Sequence, residues 1–355
     1  MVYLTNKQEV NNSSVAILLA LFNRPQYFLQ MAESINAINP KKIYIHIDGP
    51  RNSDDTKKTK EIINLLDKID KSIDKEVLIQ DKNLGCGLGM VTAISWFFEK
   101  EKYGIILEDD CIPNPTFYDY CNQLLPEYKN NENIFMISGD NGGQIIPEKH
   151  FGDNDLISIP TPLIWGWATW KNRWEEYEYN KPNLNFINIF QNLKEFKIFE
   201  RFILIKYFYK LKNYKVLNTW DIHLFYKLIV TGKRCIVPRM NLIKNIGFGD
   251  EATHTKESTF RSNAKTYKVD IKNKNYTNSN KITNSKIIYL LHSNLDKAIV
   301  HNRPILFTRV TYMRGRLVYL VKSEPLFLSR LLDTSVKISL SLPNLTPYCL
   351  SKSEI

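Results

Sequence analysis

Eight consecutive apolar residues, Val15-Ala16-Ile17-Leu18-Leu19-Ala20-Leu21-Phe22, set the strongest constraint on this chain. An unbroken apolar run of that length suits a strand covered on both faces, as in the middle of a parallel sheet. Asn23-Arg24-Pro25 ends it. Residues 26–37 then carry Phe28, Leu29, Ala32 and Ile35 at helical spacing. A second strand at 42–47 runs into Asp48-Gly49-Pro50. Asp54 or Asp55 can cap a helix that continues to about Lys71, with Ile62, Ile63, Leu65, Leu66 and Ile69 as its apolar stripe. A short strand at 76–80, a glycine-rich loop at 83–89 opening a helix to about Lys100, and a strand at 105–107 follow. A helix starting near Thr116 covers 117–128, and a strand covers 134–138. Alternation of this kind over the first ~140 residues is the pattern of an α/β sheet with crossover helices.

The strand at Ile105-Ile106-Leu107 runs straight into Glu108-Asp109-Asp110, then Cys111-Ile112-Pro113-Asn114-Pro115. Three carboxylates at a strand end repel one another, and a divalent cation with oxygen ligands is the simplest counterweight. An acidic triplet is more often a solvated turn or a helix N-terminal cluster. Its place at a strand end favours the metal reading. Arg24 and Asp48 end two other strands and belong on the same sheet edge, where open α/β sheets bind ligands. Arg24 can pair with a phosphate or stack on a base. Asp48 can accept from a base edge or a ribose hydroxyl. The loop Gly85-Cys86-Gly87-Leu88-Gly89 comes late and lacks the G-x-G-x-x-G spacing, so it is not a dinucleotide fingerprint.

The later chain changes character. Residues 160–174 hold Trp165, Trp167, Trp170 and Trp174, more indole than a routine core requires. Flat aromatic faces can stack on sugar rings, and an aromatic hinge between subdomains is the competing reading. Residues 186–214 read as a long helical stretch. Thr219 can cap a helix with Asp221 in its first turn, and 233–238 reads as a strand. Asn245-Ile246-Gly247-Phe248-Gly249 leads to His254 in a polar loop able to close over a ligand. Residues 256–286 are polar and read as flexible. From Asp296 to Arg330, seven Lys or Arg stand against two acids among regularly interleaved apolar residues, a basic amphipathic pattern suited to an anionic membrane surface or to docking on the main domain.

The formal charge of +11 raises the question of nucleic acid, but no helix-turn-helix, finger or aromatic-basic strand signature accompanies it, so no nucleic-acid partner is expected. Five scattered cysteines without a C-x-x-C argue for a reducing compartment and against a zinc site. No apolar run reaches the ~18–20 residues of a membrane span, and no secretory signal is visible. A cytoplasmic protein, peripheral at the inner face of the plasma membrane, is the expectation.

Taken together, Ile106-Leu107-Glu108-Asp109-Asp110, Trp165-Gly166-Trp167-Ala168-Thr169-Trp170, Trp220-Asp221, and Gly247-Phe248-Gly249 followed by His254 resemble the N-acetylglucosaminyltransferase I family and related bacterial sugar transferases, in the family's order across roughly residues 14–255. The resemblance implies a GT-A (Rossmann-like) fold, a mostly parallel sheet flanked by helices. Residues 14–140 would be the nucleotide-binding half and 141–255 the acceptor and sugar half. The resemblance does not reach the C-terminal region; its basic amphipathic pattern leads to the separate expectation of an α-helical extension at 287–355. The resemblance implies that Arg24, Asp48, Glu108 and Asp109 contact the nucleotide, that Asp110 binds Mn²⁺ (or Mg²⁺), and that Trp165 and Trp167 lie where sugar and acceptor meet. Asp221 would be the catalytic base, and the loop around His254 would order over the donor. The family usually carries a second acid after the base; here that position is Ile222, which keeps Glu175 and Glu176 as reserves. The implied activity is inverting transfer from a nucleotide-sugar, a UDP-sugar such as UDP-N-acetylglucosamine, to a hydroxyl of a cell-surface or lipid-linked glycan. A sugar-phosphate nucleotidyltransferase and a catalytically silent glycan-binding protein are the alternatives.

Overall fold

The computed structural model describes residues 14–142, 151–179, 186–196, 201, 204–205, 208, 219–248, 264–272, 274–278, 309–313 and 316–320. Contacts divide the chain into two units, Met1–Asn294 and Leu295–Ile355.

The apolar run becomes β1 (Ala16–Leu21), with all six residues buried. Its side chains alternate between two cores, because successive residues of a strand face opposite ways. Ile17, Leu19 and Leu21 join one cluster; Ala16, Leu18 and Ala20 join the other. Helix α1 (Pro25–Ile38) starts on a proline and buries Phe28, Met31, Ala32 and Ile35 in the first cluster. Leu29, expected on that face, is exposed, and Met31 takes its place at the i, i+3, i+4, i+7 spacing. Strand β2 (Lys42–Ile47) pairs parallel with β1. The next helix, α2 (Ser53–Leu65), is capped by Asn52, whose side chain accepts from the Asp55 amide at 2.9 Å, and not by Asp54 or Asp55. It stops six residues before Lys71 and passes into a 3₁₀ turn at Leu66–Lys68.

Asp55 has a different task. Its carboxylate, 3% exposed, accepts from Arg51 Nε at 2.7 Å and from Asn23 Nδ2 at 2.6 Å. It thereby ties the turn after β1 to the start of α2. The Arg51 hydrogen bond pulls its pKa down from 3.8 to about 2. A depressed carboxylate contributes stability above its unfolded pKa and loses it as pH falls through the folded value. Asp55→Asn is therefore expected to destabilise the protein by about 1–2 kcal/mol at neutral pH, a figure discounted for solvent screening of the half-exposed Arg51. Urea titrations at stepped pH should show the difference closing toward about pH 2–3.

β3 (Asp74–Ile79), α3 (Gly85–Lys100), β4 (Tyr103–Glu108), β5 (Cys111–Pro113), α4 (Pro115–Tyr128) and β6 (Ile134–Ser138) complete the alternating half. Asn114 caps α4 one residue before its leading Pro115 and two before the expected Thr116. Then come β7 (Leu156–Ile159), β8 (Trp167–Trp170), α5 (Lys171–Trp174), α6 (Phe186–Asn192), a helix α7 (Asp221–Thr231), β9 (Arg234–Pro238), β10 (Ile243–Asn245) and β11 (Tyr276–Asn278). Nine strands form one sheet in the order β11-β7-β9-β6-β8-β4-β1-β2-β3. β1–β2, β2–β3, β1–β4, β6–β9 and β7–β11 are parallel, whereas β8 runs antiparallel between β4 and β6. α1, α2 and α4 cover one face; α3 and α7 cover the other. This is the expected α/β architecture, a mostly parallel sheet flanked by helices.

Two expectations differ. Part of the polar segment at 256–286 is docked: Ile271 is buried, Val269 N donates to Thr116 Oγ1, and β11 adds an edge strand beside β7. Where an α-helical extension was expected, the described residues of the second unit form an antiparallel hairpin, β12 (Arg309–Met313) with β13 (Arg316–Leu320). Both strands are rich in β-branched and aromatic residues, which favour extended structure. The expected long helix at 186–214 does not run unbroken: α6 passes into a 3₁₀ turn at Leu193–Glu195 and the chain is extended at Phe196; residues 197–200, 202–203, 206–207 and 209–214 and the remainder of 287–355 lie outside the described residues. Among the described residues no helix is long and apolar enough to cross a membrane.

Candidate active site

From β1 the chain moves to β2 and β3 on one side, then returns to place β4 on the other. The sheet's switch point therefore lies between the carboxyl ends of β1 and β4, the place where such sheets leave a crevice. Arg24 follows β1 there, and Glu108-Asp109-Asp110 ends β4. Arg24 Nη1 lies 2.8 Å from Asp109 Oδ1 and 3.1 Å from Asp110 Oδ2. Burial works against the guanidinium's charge, but the two carboxylates outweigh it and hold its pKa above the usual value. Asp109 is buried; that burial lifts its pKa to about 6 despite the opposing pull of Arg24.

Strand alternation sends Glu108 the other way. It shares the face of Ile106, which packs with α3 and α7. Its pKa is raised well above the usual carboxylate value by burial, then by the like charges of Asp110, Asp109 and Asp221. No hydrogen-bond partner holds its carboxylate among the described residues. Cys86, at the start of α3, feels the same four acids; it touches solvent, yet burial and these charges push its thiol pKa up. The acids at the end of β4, the first turn of α3 and the first turn of α7 thus lie close enough to feel one another's charge.

Asp221 is the first residue of α7. Its Oδ1 accepts from the Thr219 hydroxyl and from the Ile222 amide at 2.9 Å. Its Oδ2 has no protein partner among the described residues. Thr219 does not cap the helix; it anchors the Asp221 carboxylate instead. Trp220 beneath it is fixed by stacking on Trp167, with ring centroids 5.6 Å apart, and by Tyr177, whose hydroxyl donates to the Trp220 carbonyl at 2.9 Å. Of the reserve acids, Glu176 pairs with Lys233 and Glu175 is exposed after α5.

The structure corrects the role of Trp167. It is fully buried in the middle of the sheet, and its indole nitrogen has no partner among the described residues, so it supports Trp220 and cannot meet a sugar. Its strand lies between β4 and β6, covered on both faces. Trp165, in the turn before β8, is half-buried with its ring edge-on to Phe248 at 5.6 Å. Asp48 is buried and engaged entirely with protein donors, as set out below. His254 and its loop lie outside the described residues.

A small second sheet, which the sequence did not announce, shapes the metal candidate. β5 pairs antiparallel with β10, setting Cys111 opposite Asn245. Asn245 Nδ2 donates to Asp110 Oδ1 at 3.3 Å, and its own Oδ1 accepts from Gly247 N at 2.8 Å. A Cβ on Gly247 would overlap Asp110 Oδ2 and lie 2.9 Å from Asp110 Cβ. Glycine is needed there because the loop passes over the carboxylate. Gly247→Ala is expected to displace Asp110, and a divalent cation that Asp110 would hold should then bind about tenfold more weakly, the scale for disturbing a ligand's support. Calorimetric titration would read this.

Four carboxylates face one guanidinium in this cleft, a balance that suits an added cation. Among the described residues no three His, Cys, Asp or Glu side chains form a protein-only cage. Asp110 would hold a hard divalent ion through one carboxylate, and such an ion would need further oxygen ligands from outside the protein.

No protein-family model matches the chain, and no curated protein does. Solved structures similar to it include a UDP-glucose pyrophosphorylase (10% identity, TM-score 0.35, 66% of this chain and 93% of that one). An inositol-1-phosphate CTP transferase from T. maritima is another (14%, 0.31, 63% and 84%). A third is the glycosyltransferase GlyE of Streptococcus pneumoniae TIGR4 (12%, 0.24, 64% and 55%). Likeness at this level carries no argument about chemistry, which must be read from the site itself.

Proposed function

We propose that this chain is an inverting, metal-dependent glycosyltransferase that moves a sugar from a nucleotide-sugar, a UDP-sugar such as UDP-N-acetylglucosamine, to a hydroxyl of a glycan or lipid-linked acceptor. The observation that carries this reading is Asp221. One oxygen is anchored and the other has no protein partner among the described residues, beside the acids that end β4. That is the arrangement a general base needs beside a diphosphate site.

Mn²⁺ or Mg²⁺ held by Asp110 would offset the charge that develops on the leaving diphosphate. The chain's own groups do the rest. Arg24, tethered by Asp109, presents its guanidinium to the nucleotide's phosphates or base. Glu108 and Asp109 accept from the nucleotide's hydroxyls. Asp221 takes the acceptor's hydroxyl proton as that oxygen bonds to the anomeric carbon. The bond from that carbon to the diphosphate oxygen breaks, and the nucleoside diphosphate leaves with the electron pair. One displacement inverts the anomeric centre. Trp165 offers an aromatic surface near the acceptor. The basic residues between Asp296 and Arg330 suit an anionic membrane surface where such acceptors are held.

A nucleotidyltransferase is disfavoured by the turn after β1. Phe22-Asn23-Arg24 contains no glycine, and α1 begins immediately at Pro25, so no glycine-rich phosphate-gripping loop follows β1. Product identity is the test. Incubation with UDP-, GDP-, dTDP- and CMP-sugars and Mn²⁺ should release free nucleotide from one of them. Pyrophosphate formed from a nucleoside triphosphate and a sugar phosphate would contradict the proposal.

A further inference from the structure

We infer that Asp48 is a positioning residue: it holds the first turn of α3 and, through that turn, the Thr219–Asp221 pair, and it makes no contact with the nucleotide. The inference rests on the reading of Asp221 as the base.

An ionised carboxylate offers about four acceptor sites. Asp48 has all of them filled. Oδ1 accepts from Gly49 N and Leu84 N, both at 2.9 Å; Oδ2 accepts from Asn83 Nδ2 at 3.0 Å and Gly85 N at 3.2 Å. The residue is 8% exposed. Leu84 N and Gly85 N belong to the group of helix-start amides that have no partner within a helix. Asp48, fixed at the end of β2, supplies that partner, so the strand sets where α3 begins.

The start of α3 in turn sets where α7 begins. Gly87 packs so closely on the second half of the chain that a Cβ there would overlap the Tyr179 hydroxyl and lie 3.0 Å from Thr219 N. The Thr219 hydroxyl donates to Asp221 Oδ1. Three contiguous contacts therefore run from Asp48 to the Asp221 carboxylate. They link β2, in the nucleotide-side half, to α7, in the half that faces the acceptor. Displacing a reacting group by about 1 Å is enough to cost a hundredfold in rate.

Asp48→Asn in the full chain tests this. The asparagine keeps the shape, but its amide presents hydrogens to Gly85 N and Asn83 Nδ2. Hydrogen exchange is expected to show lost amide protection at residues 84–87 and also at 219–222, with β6 unchanged. The affinity for UDP with Mn²⁺ should stay within about twofold of the parent. Unchanged protection at 219–222 together with UDP affinity weakened about tenfold, the cost of a lost bond to a charged group, would overturn the inference in favour of a direct contact. Should Asp48→Asn fail to fold, Gly87→Ala disturbs the same link from the other end, and the same exchange at 219–222 is expected.

With a donor from the panel that turns over, Asp48→Asn should slow turnover about ten- to a hundredfold. Combined with Asp221→Asn it should slow turnover no further than Asp221→Asn alone, whereas a merely structural loss would multiply. A parent protein that binds no UDP with Mn²⁺ would instead remove the donor reading, and the exchange result would still decide the link from Asp48 to Asp221.

Discussion

Asp110→Asn is expected to abolish metal-dependent turnover, with a loss of about 10³-fold, the scale for removing a preorganised group that stabilises transition-state charge. The reason is local. Asp110 stands between Arg24 at 3.1 Å and Asn245 at 3.3 Å, under a loop that leaves room only for glycine at 247. The neutral amide can still pair with Asn245, so the fold should survive. It supplies no charge to a divalent ion, and Arg24 would then be shared with Asp109 alone. Chelator added to the parent protein should reproduce the loss. Turnover that persists in the variant and in chelator would place the leaving-group charge on Arg24 and exclude Asp110 as the metal ligand.

Asp221→Asn carries the second large effect, through the proton. Removing a positioned general base costs about 10²–10⁴ in rate. Asparagine preserves the Thr219 contact and the start of α7, so the nucleotide site at the ends of β1 and β4 should be untouched. Turnover should collapse while UDP affinity holds, which separates this variant from Asp110→Asn, where both fall. Steady-state rates alongside calorimetric binding would show the split. A variant that turns over normally would move the base to another group in the cleft, with Glu108 the first to examine.

The alternating half was legible because its signals are local. β1 is an unbroken apolar run, β6 appears at its expected residues, and α1 and α4 begin on Pro25 and Pro115. The acidic triplet was legible for the same reason: apolar residues running into acids mark a strand end. Pairings over long separations left no such mark. β5 and β10 are three residues each and meet across about 130 residues of chain, so Asn245 could not be recognised as a partner of Asp110. β8 reads as an aromatic segment, and only the sheet shows that Trp167 is walled in between β4 and β6 while Trp165 reaches the turn. Thr219 looked like a helix cap, and Asn52 did not, because capping depends on backbone angles that residue type alone does not dictate. Asp48 sat at the expected edge, but sequence offers no count of the donors that surround it.

In the proposed function, the carboxyl edge between β1 and β4 binds a nucleotide through a cation on Asp110. Calorimetric titration of the full-length protein with UDP, in Mn²⁺ and in chelator, tests it most directly. Binding in Mn²⁺ that disappears in chelator and in Asp110→Asn is the expected result. The same titration across GDP, dTDP and CMP would assign the base. Absence of binding by all four nucleotides in Mn²⁺, or binding indifferent to both chelator and Asp110→Asn, would contradict it.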